Sequence, residues 1–163
     1  MMEEESLSEK TVSEELRKVG LFKNLGEAQI AKLCRIARVA RYKRGEHLFR
    51  HGDPSDRIFI VLEGKVRIGR TIEGLGEEAL AILDAGTYFG ELSIVDDGPR
   101  SADAVAHESC ALLVIERTAL EDVMLLDKAL GYELLWNIAR TLAARLRQTN
   151  DKIILLSGCS RFG

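Results

Sequence analysis

Short apolar stretches separated by glycine- and aspartate-rich turns fill the middle of this 163-residue sequence, from Val39 to Ile115. Brief stretches closed by turns are typical of strands in an antiparallel sandwich or barrel, since parallel strands need long crossover connections. The stretches are residues 39–42, 46–50, 58–62, 65–72, 78–83, 88–89, 102–106 and 111–115. The sequence therefore predicts an antiparallel β domain over this region.

Helical patterns flank the β region on both sides. On the N-terminal side, a short helix is predicted over residues 11–19, with Thr11 or Ser13 as its N-cap, and a second at about residues 26–36. On the C-terminal side, a short helix precedes a long one over residues 128–157. The predicted fold class is α+β.

The long helix carries an apolar stripe whose members recur every three or four residues, as in a coiled coil. The stripe consists of Leu135, Ile138, Leu142, Leu146, Thr149, Ile153 and Leu156. A helix of that length measures roughly 40 Å, which is more than one domain covers. We therefore expect the stripe to pair with a second copy of the chain in a symmetric homodimer.

These patterns divide the chain into four parts. Residues 1–10 are acidic and polar and are predicted to be a disordered tail. Residues 11–127 form the β domain with its N-terminal helices, residues 128–157 the long helix, and residues 158–163 a flexible tail.

The bulk composition argues against several classes of protein. A net charge of −3 gives no overall attraction to nucleic acid or to anionic lipid. No apolar run approaches the ~20 residues that a membrane span needs, and the acidic residues 1–5 are unlike a signal peptide. Three cysteines are an odd number for a disulfide framework, so the cytoplasm is the expected location.

Residues 89–102 combine the groups from which a nucleotide pocket is built. Gly90 lets the backbone approach a ligand closely, and the helical turn expected after it leaves N–H groups that suit an anion. Arg100 adds a planar charge that matches phosphate. Glu91 only accepts hydrogen bonds, as from two sugar hydroxyls. No second carboxylate, histidine or nucleophile accompanies Glu91 in a known catalytic motif, so no catalytic residue is predicted.

This segment resembles the phosphate-binding cassette of the cyclic-nucleotide-binding domain family, a module of catabolite activator proteins and protein kinase A regulatory subunits. The matching residues are 89–94 and 100–102, together with an upstream segment, 52–64. The resemblance implies an eight-stranded jelly roll and a bound cyclic nucleotide. The implied ligand-binding residues are Phe89, Gly90, Glu91, Leu92, Ser93, Arg100, Ser101 and Ala102.

The same resemblance implies distinct roles within the cassette. The phosphate would lie on the N–H groups that follow Gly90, against Arg100 and the hydroxyl of Ser101. Glu91 would accept a hydrogen bond from the ribose 2′-OH. Leu92 and the facing strands would pack on the sugar and base.

Two residues of the long helix, Thr149 and Asn150, are predicted to contact the base. They stand where the long helix of catabolite activator proteins carries a Thr-Ser pair that reaches the adenine amine. Thr149 has an alternative interpretation, because a polar residue in an apolar stripe also sets helix register. The match favours cAMP as the ligand, and Ser101 leaves cGMP open.

The alternative function is a member of this fold with a changed or lost ligand, acting as a dimerisation or protein-interaction module. The intact Glu91 and Arg100 argue against it. Because the sequence ends at Gly163, with no room for a helix-turn-helix after the long helix, DNA binding is not expected and the output is expected to pass to a protein partner. His47 and His51 have the spacing of helical metal ligands but flank a predicted strand, so no metal site is predicted.

Overall fold

Nine strands are present in the computed structural model, which describes residues 3–5, 8–74 and 76–159. They are β1 (Glu3–Glu5), β2 (Ala37–Tyr42), β3 (His47–Phe49), β4 (Arg57–Glu63), β5 (Val66–Ile72), β6 (Gly76–Leu83), β7 (Tyr88–Phe89), β8 (Asp103–Ala106) and β9 (Cys110–Glu116). One antiparallel sheet has the order β1-β2-β9-β4-β7, and the other has the order β3-β8-β5-β6. All eight predicted strands are present, so the α+β class with an antiparallel jelly roll is confirmed.

Strands β4 and β9 form the centre of the fold and are buried on both faces. Because side chains alternate along a strand, each strand contributes to two cores. The residues that face the helices are Ile58, Ile60, Leu113 and Ile115. Those that face the second sheet are Phe59, Val61, Leu112 and Val114. Strand β7 pairs with β4, so the segment that follows β7 is anchored to this centre.

The helices of the described part are α1 (Glu9–Lys18), α2 (Glu27–Cys34), α3 (Leu92–Val95), α4 (Arg117–Leu126) and α5 (Lys128–Cys159). The predicted N-cap of the first helix, Thr11 or Ser13, is wrong. Helix α1 begins at Glu9 because the Oγ of Ser8 caps it by accepting the N–H of Thr11 at 3.3 Å. Helix α2 is shorter than predicted, since β2 begins only three residues after its end.

Both predicted tails contain regular structure. Within the predicted disordered tail 1–10, β1 pairs antiparallel with β2, and α1 starts at Glu9. The free edge of β2 offers backbone N–H and C=O groups, and a polar segment can pair with them regardless of its side chains. The side-chain pattern of residues 3–5 therefore does not predict β1. At the other end, α5 continues through Cys159 into the predicted flexible tail. Residues 160–163 lie outside the described part.

Helix α5 packs its first half against the β domain and exposes its second half. The buried residues in the first half are Leu130, Leu134, Asn137 and Ile138. Asn137 ties the helix to the turn after α1, since its Nδ2 donates to the carbonyl of Leu21 at 3.0 Å. The exposed apolar residues of the second half are Leu146, Ile153, Ile154, Leu155 and Leu156. The predicted homodimer would cover part of this surface and stays a prediction.

Candidate functional site

A cavity of about 320 Å³ lies between the second sheet, residues 89–102 and the second half of α5. Its volume is in the range of small-molecule sites. Strands β5 and β6 supply the apolar side, for example Ile68 and Leu83. The polar side comes from the segment after β7 and from α5.

Arg100 is a charged residue of the cavity wall that is only 4% exposed. Its Nη2 donates to the carbonyl of Arg57 at 2.8 Å and lies 3.7 Å from the carboxylate of Asp56. Its Nε and Nη1 are buried and have no acceptor among the described residues. Burial lowers the pKa of the guanidinium, yet an arginine keeps its proton in proteins. Two nitrogens of a buried cation therefore have no hydrogen-bond acceptor among the described residues.

Aromatic rings and a loop hold the Arg100 guanidinium in place. Its Cζ lies 4.2 Å from the ring centroid of Phe49, in a cation–π contact. The backbone N–H of Arg100 donates to the carbonyl of Asp53 at 2.9 Å, and its carbonyl accepts the N–H of Gly52 at 2.9 Å. The segment around residues 52–57 thus fixes both the backbone and the side chain of Arg100.

Gly90 approaches Arg100 more closely than any residue with a side chain could. A Cβ at this position would lie 2.7 Å from Arg100 Nη1 and 2.9 Å from the carbonyl oxygen of Arg57. Its φ of +81° is also a conformation that other residues rarely adopt. Ser93 braces this turn from behind, since its fully buried Oγ donates to the Gly90 carbonyl at 2.7 Å.

Glu91 is 2% exposed, and its carboxylate pairs with the guanidinium of Arg145 on α5. Arg145 also donates from Nη2 to the carbonyl of Tyr88 at 2.8 Å. Beside this pair, the phenol of Tyr88 donates to Thr141 on α5 at 2.6 Å, and burial raises the pKa of the phenol so that it stays protonated. Helix α5 is therefore hydrogen-bonded directly to Tyr88 of β7 and to Glu91.

A family model described as "Cyclic nucleotide-binding domain" matches residues 39–127 of the sequence, which is more than half of the chain. The match contains the cavity-lining segment with Gly90, Glu91 and Arg100. The chain belongs to the cyclic nucleotide-binding domain family.

Individual relatives support the membership. The chain is 34% identical, over 142 residues, to the CRP-like cAMP-activated global transcriptional regulator of Mycobacterium tuberculosis, covering 87% of the chain and 62% of the relative. It is 41% identical, over 116 residues, to the cyclic AMP receptor protein of Thermus thermophilus, covering 71% of the chain and 52% of the relative. A cyclic nucleotide-binding domain structure from Methylobacillus flagellatus has a TM-score of 0.81 at 28% identity, covering 94% of the chain and 88% of that structure. The chain thus spans between half and two thirds of the length of the two curated relatives.

Eight of the ten predicted site residues of this cyclic nucleotide-binding domain line the cavity. They are Phe89, Gly90, Glu91, Leu92, Arg100, Ser101, Ala102 and Thr149. The other two are absent from the lining: Ser93 supports the Gly90 turn, and Asn150 is exposed on a neighbouring face of α5. Successive residues on a helix differ by about 100° in direction, which separates Asn150 from Thr149.

Three further α5 residues line the cavity although no sequence pattern indicated them: Arg145, Gln148 and Lys152. Arg145 and Lys152 share one helix face with Thr149, at spacings of four and three residues, and Gln148 is three residues after Arg145 and four before Lys152. Extending the predicted contact at Thr149 by one turn in each direction would have found Arg145 and Lys152.

Other site types have little support in the described residues. Nowhere in residues 8–74 and 76–158 do three or more His, Cys, Asp or Glu side chains gather in a way that could hold a metal ion. None of the described helices combines the length and apolar character needed to cross a membrane. The matched family is defined by ligand binding, and the predicted lack of catalytic activity stays a prediction.

Proposed function

We propose that this chain is a regulatory sensor that binds cAMP in the cavity beneath α5. The observation that carries the proposal is the buried Arg100 with two N–H groups that lack acceptors in the cavity wall. A buried cation without its full set of partners is costly. A phosphate that accepts a hydrogen bond from this guanidinium would reduce that cost, and Arg100 is the cation of the wall that lies against the Gly90 turn.

The phosphate end of the proposed ligand lies at Gly90 and Arg100. A cyclic phosphate carries one negative charge and two free oxygens, and one of these oxygens can accept a hydrogen bond from Nη1 of Arg100, which lies next to Gly90. The hydroxyl of Ser101 is a further donor on the same wall. Because Gly90 has no side chain, nothing at this position blocks the Nη1 of Arg100.

The sugar would lie against Glu91 and Arg145. One carboxylate oxygen of Glu91 pairs with Arg145, and a carboxylate has lone pairs left for a second donor such as the ribose 2′-OH. Both side chains line the cavity. The ligand would therefore touch the bond that joins α5 to the cassette.

The base would lie against the next turns of α5, where Thr149 favours adenine. The Oγ1 of Thr149 donates its proton to the carbonyl of Arg145 at 2.9 Å, so it has only lone pairs to offer a ligand. Lone pairs suit the amine on C6 of adenine and repel the oxygen on C6 of guanine. Lys152, a pure donor on the same face, suits a ring nitrogen of the base.

The proposed output is a change in the position or dynamics of α5. Ligand contacts at Glu91, Arg145 and Thr149 would differ between docked and released α5, and only such differential contacts let a ligand shift a conformational equilibrium. Two relatives, a cAMP-activated regulator and a cyclic AMP receptor protein, agree with this role. We propose a cytoplasmic protein that passes the signal to a protein partner.

Thermal unfolding with added nucleotides tests the proposed ligand. At ~100 times its dissociation constant, a ligand adds about 2.7 kcal/mol to the free energy of unfolding. We expect a concentration-dependent rise in Tm with cAMP, a smaller rise at equal concentration with cGMP, and none with 5′-AMP, whose phosphate is not cyclic and carries more charge. No shift with either cyclic nucleotide would contradict the proposal and favour the interaction module.

Sedimentation of a stripe variant tests the proposed homodimer. The double variant Leu146→Glu, Ile153→Glu should be monomeric where the wild type is a dimer, because a two-fold interface would bring like charges together. Both side chains are more than half exposed in the monomer, so its Tm should change little. Leu126→Glu is the control, since Leu126 is 88% exposed but lies on α4, away from the stripe. A wild type that sediments as a monomer at tens of micromolar contradicts the homodimer.

A further inference from the structure

Asp103 is a buried carboxylate that does not line the cavity. It begins β8, three residues after Arg100, and is 8% exposed. One oxygen accepts the backbone N–H of His51 at 2.7 Å. The other accepts the backbone N–H of Thr71 at 3.1 Å and lies 3.4 Å from the Thr71 hydroxyl. The carboxylate thus links three separate parts of the chain.

The three residues after Asp103 show how unusual this position is. Ala104, Val105 and Ala106 are all buried and apolar, as expected of an inner strand. A buried carboxylate is expensive unless hydrogen bonds satisfy it. Here they do, and the bond from His51 lowers the pKa of the carboxyl, which keeps it ionised at neutral pH. An ionised acceptor makes stronger hydrogen bonds than a neutral one.

The segment that Asp103 holds through His51 is the one that holds Arg100. Directly after His51, Gly52 and Asp53 bond the backbone of Arg100 on both sides. Arg57, at the end of the same segment, accepts the Nη2 of Arg100 with its carbonyl. All three of these hydrogen bonds of Arg100 therefore involve residues 52–57.

We propose that Asp103 is a positioning residue for the anion site: it locks residues 51–57 to the start of β8 and thereby fixes the Arg100 guanidinium in the cavity wall. The proposal rests on the proposed function for its effect on ligand affinity. Its structural part, the locking of the segment, is independent of any ligand.

Hydrogen exchange on the ligand-free protein tests the structural part. In Asp103→Ala the amides of Gly52 and Arg100, which donate to the carbonyls of Arg100 and Asp53, should exchange at least about tenfold faster, as expected when a local opening loses a hydrogen bond to a charged group. Glu46→Ala is the matched control, since Glu46 accepts the backbone N–H of Lys43 at 2.7 Å in a turn away from the cavity. Unchanged exchange at Gly52 and Arg100 would overturn the proposal.

A double-mutant cycle tests the effect on binding. Asp103→Ala should weaken cAMP binding about tenfold in the wild-type background, and less than about twofold when Arg100 is already alanine, because contributions made through a shared partner are not additive. Asp103→Asn, which keeps the shape and one acceptor, should lose less and serves if the alanine variant does not fold. An equal loss of affinity in both backgrounds would show that Asp103 does not act through Arg100 and would overturn the proposal. If the wild type binds no cyclic nucleotide, the proposed function fails, and the exchange experiment still decides the role of Asp103.

Discussion

Arg100→Ala should lose at least about 30-fold in affinity for cAMP while the protein stays folded. Truncating one member of a buried, hydrogen-bonded charge pair costs about 2–5 kcal/mol, and each 1.4 kcal/mol is a factor of ten. Without ligand the same change should alter stability little. The variant loses the packing of Arg100 on Phe49 and the hydrogen bond to the Arg57 carbonyl, but it also removes two buried nitrogens that have no acceptor among the described residues.

Isothermal titration and thermal unfolding of the same samples separate these two effects. Arg67→Ala is the matched control, because Arg67 pairs with Glu77 on the β5–β6 hairpin and does not line the cavity. It removes the same charge and should leave cAMP affinity within about twofold, as expected of an exposed ion pair. Arg100→Lys should fall between wild type and alanine, since lysine keeps the charge but lacks the planar fork. Equal affinities of Arg100→Ala and wild type would remove Arg100 from the site.

The β domain was predictable because its signals are local. Each predicted strand is a brief apolar stretch closed by a turn, so neighbouring residues are enough to identify it. The residues of β1, Glu3–Glu5, carry no such pattern, and only the free edge of β2 makes them a strand. The start of α1 was missed for a smaller reason, because Ser8 lies in a stretch so polar that nothing singles it out as the cap.

The candidate site likewise has one part that local sequence predicts and another part that depends on contacts between distant residues. The phosphate side lies within residues 89–102, so spacing along the chain and family resemblance both reach it. The Glu91–Arg145 pair spans 54 residues and the His51–Asp103 bond spans 52. Such bonds depend on where α5 and the segment around His51 dock against the sheets. No periodicity in the sequence encodes that placement, although the helix face shared with Thr149 was a usable clue for Arg145.

Gly90→Ala should destabilise the protein by about 3 kcal/mol and also weaken ligand binding at least about tenfold. Part of the loss is the strain of a positive φ, about 1–2 kcal/mol for a residue with a Cβ. The rest comes from contact, because the new Cβ would lie 2.9 Å from the backbone oxygen of Arg57, which cannot move without shifting β4. The Cβ would also lie 2.7 Å from Arg100 Nη1, which can move, but only out of the position proposed for phosphate binding.

Gly86→Ala separates strain from contact. Gly86 has a φ of +87°, close to that of Gly90, and a Cβ there would meet nothing within 4 Å. It should therefore lose only the strain energy, about 1–2 kcal/mol, and keep its affinity for cAMP. Chemical denaturation gives the two free energies of unfolding, and titration gives the two affinities. If Gly90→Ala and Gly86→Ala lose the same stability and both keep their affinity, the close approach between Gly90 and Arg100 does not constrain the site. A larger loss at Gly90, accompanied by weaker binding, means that the missing side chain at this turn is what lets Arg100 reach the ligand.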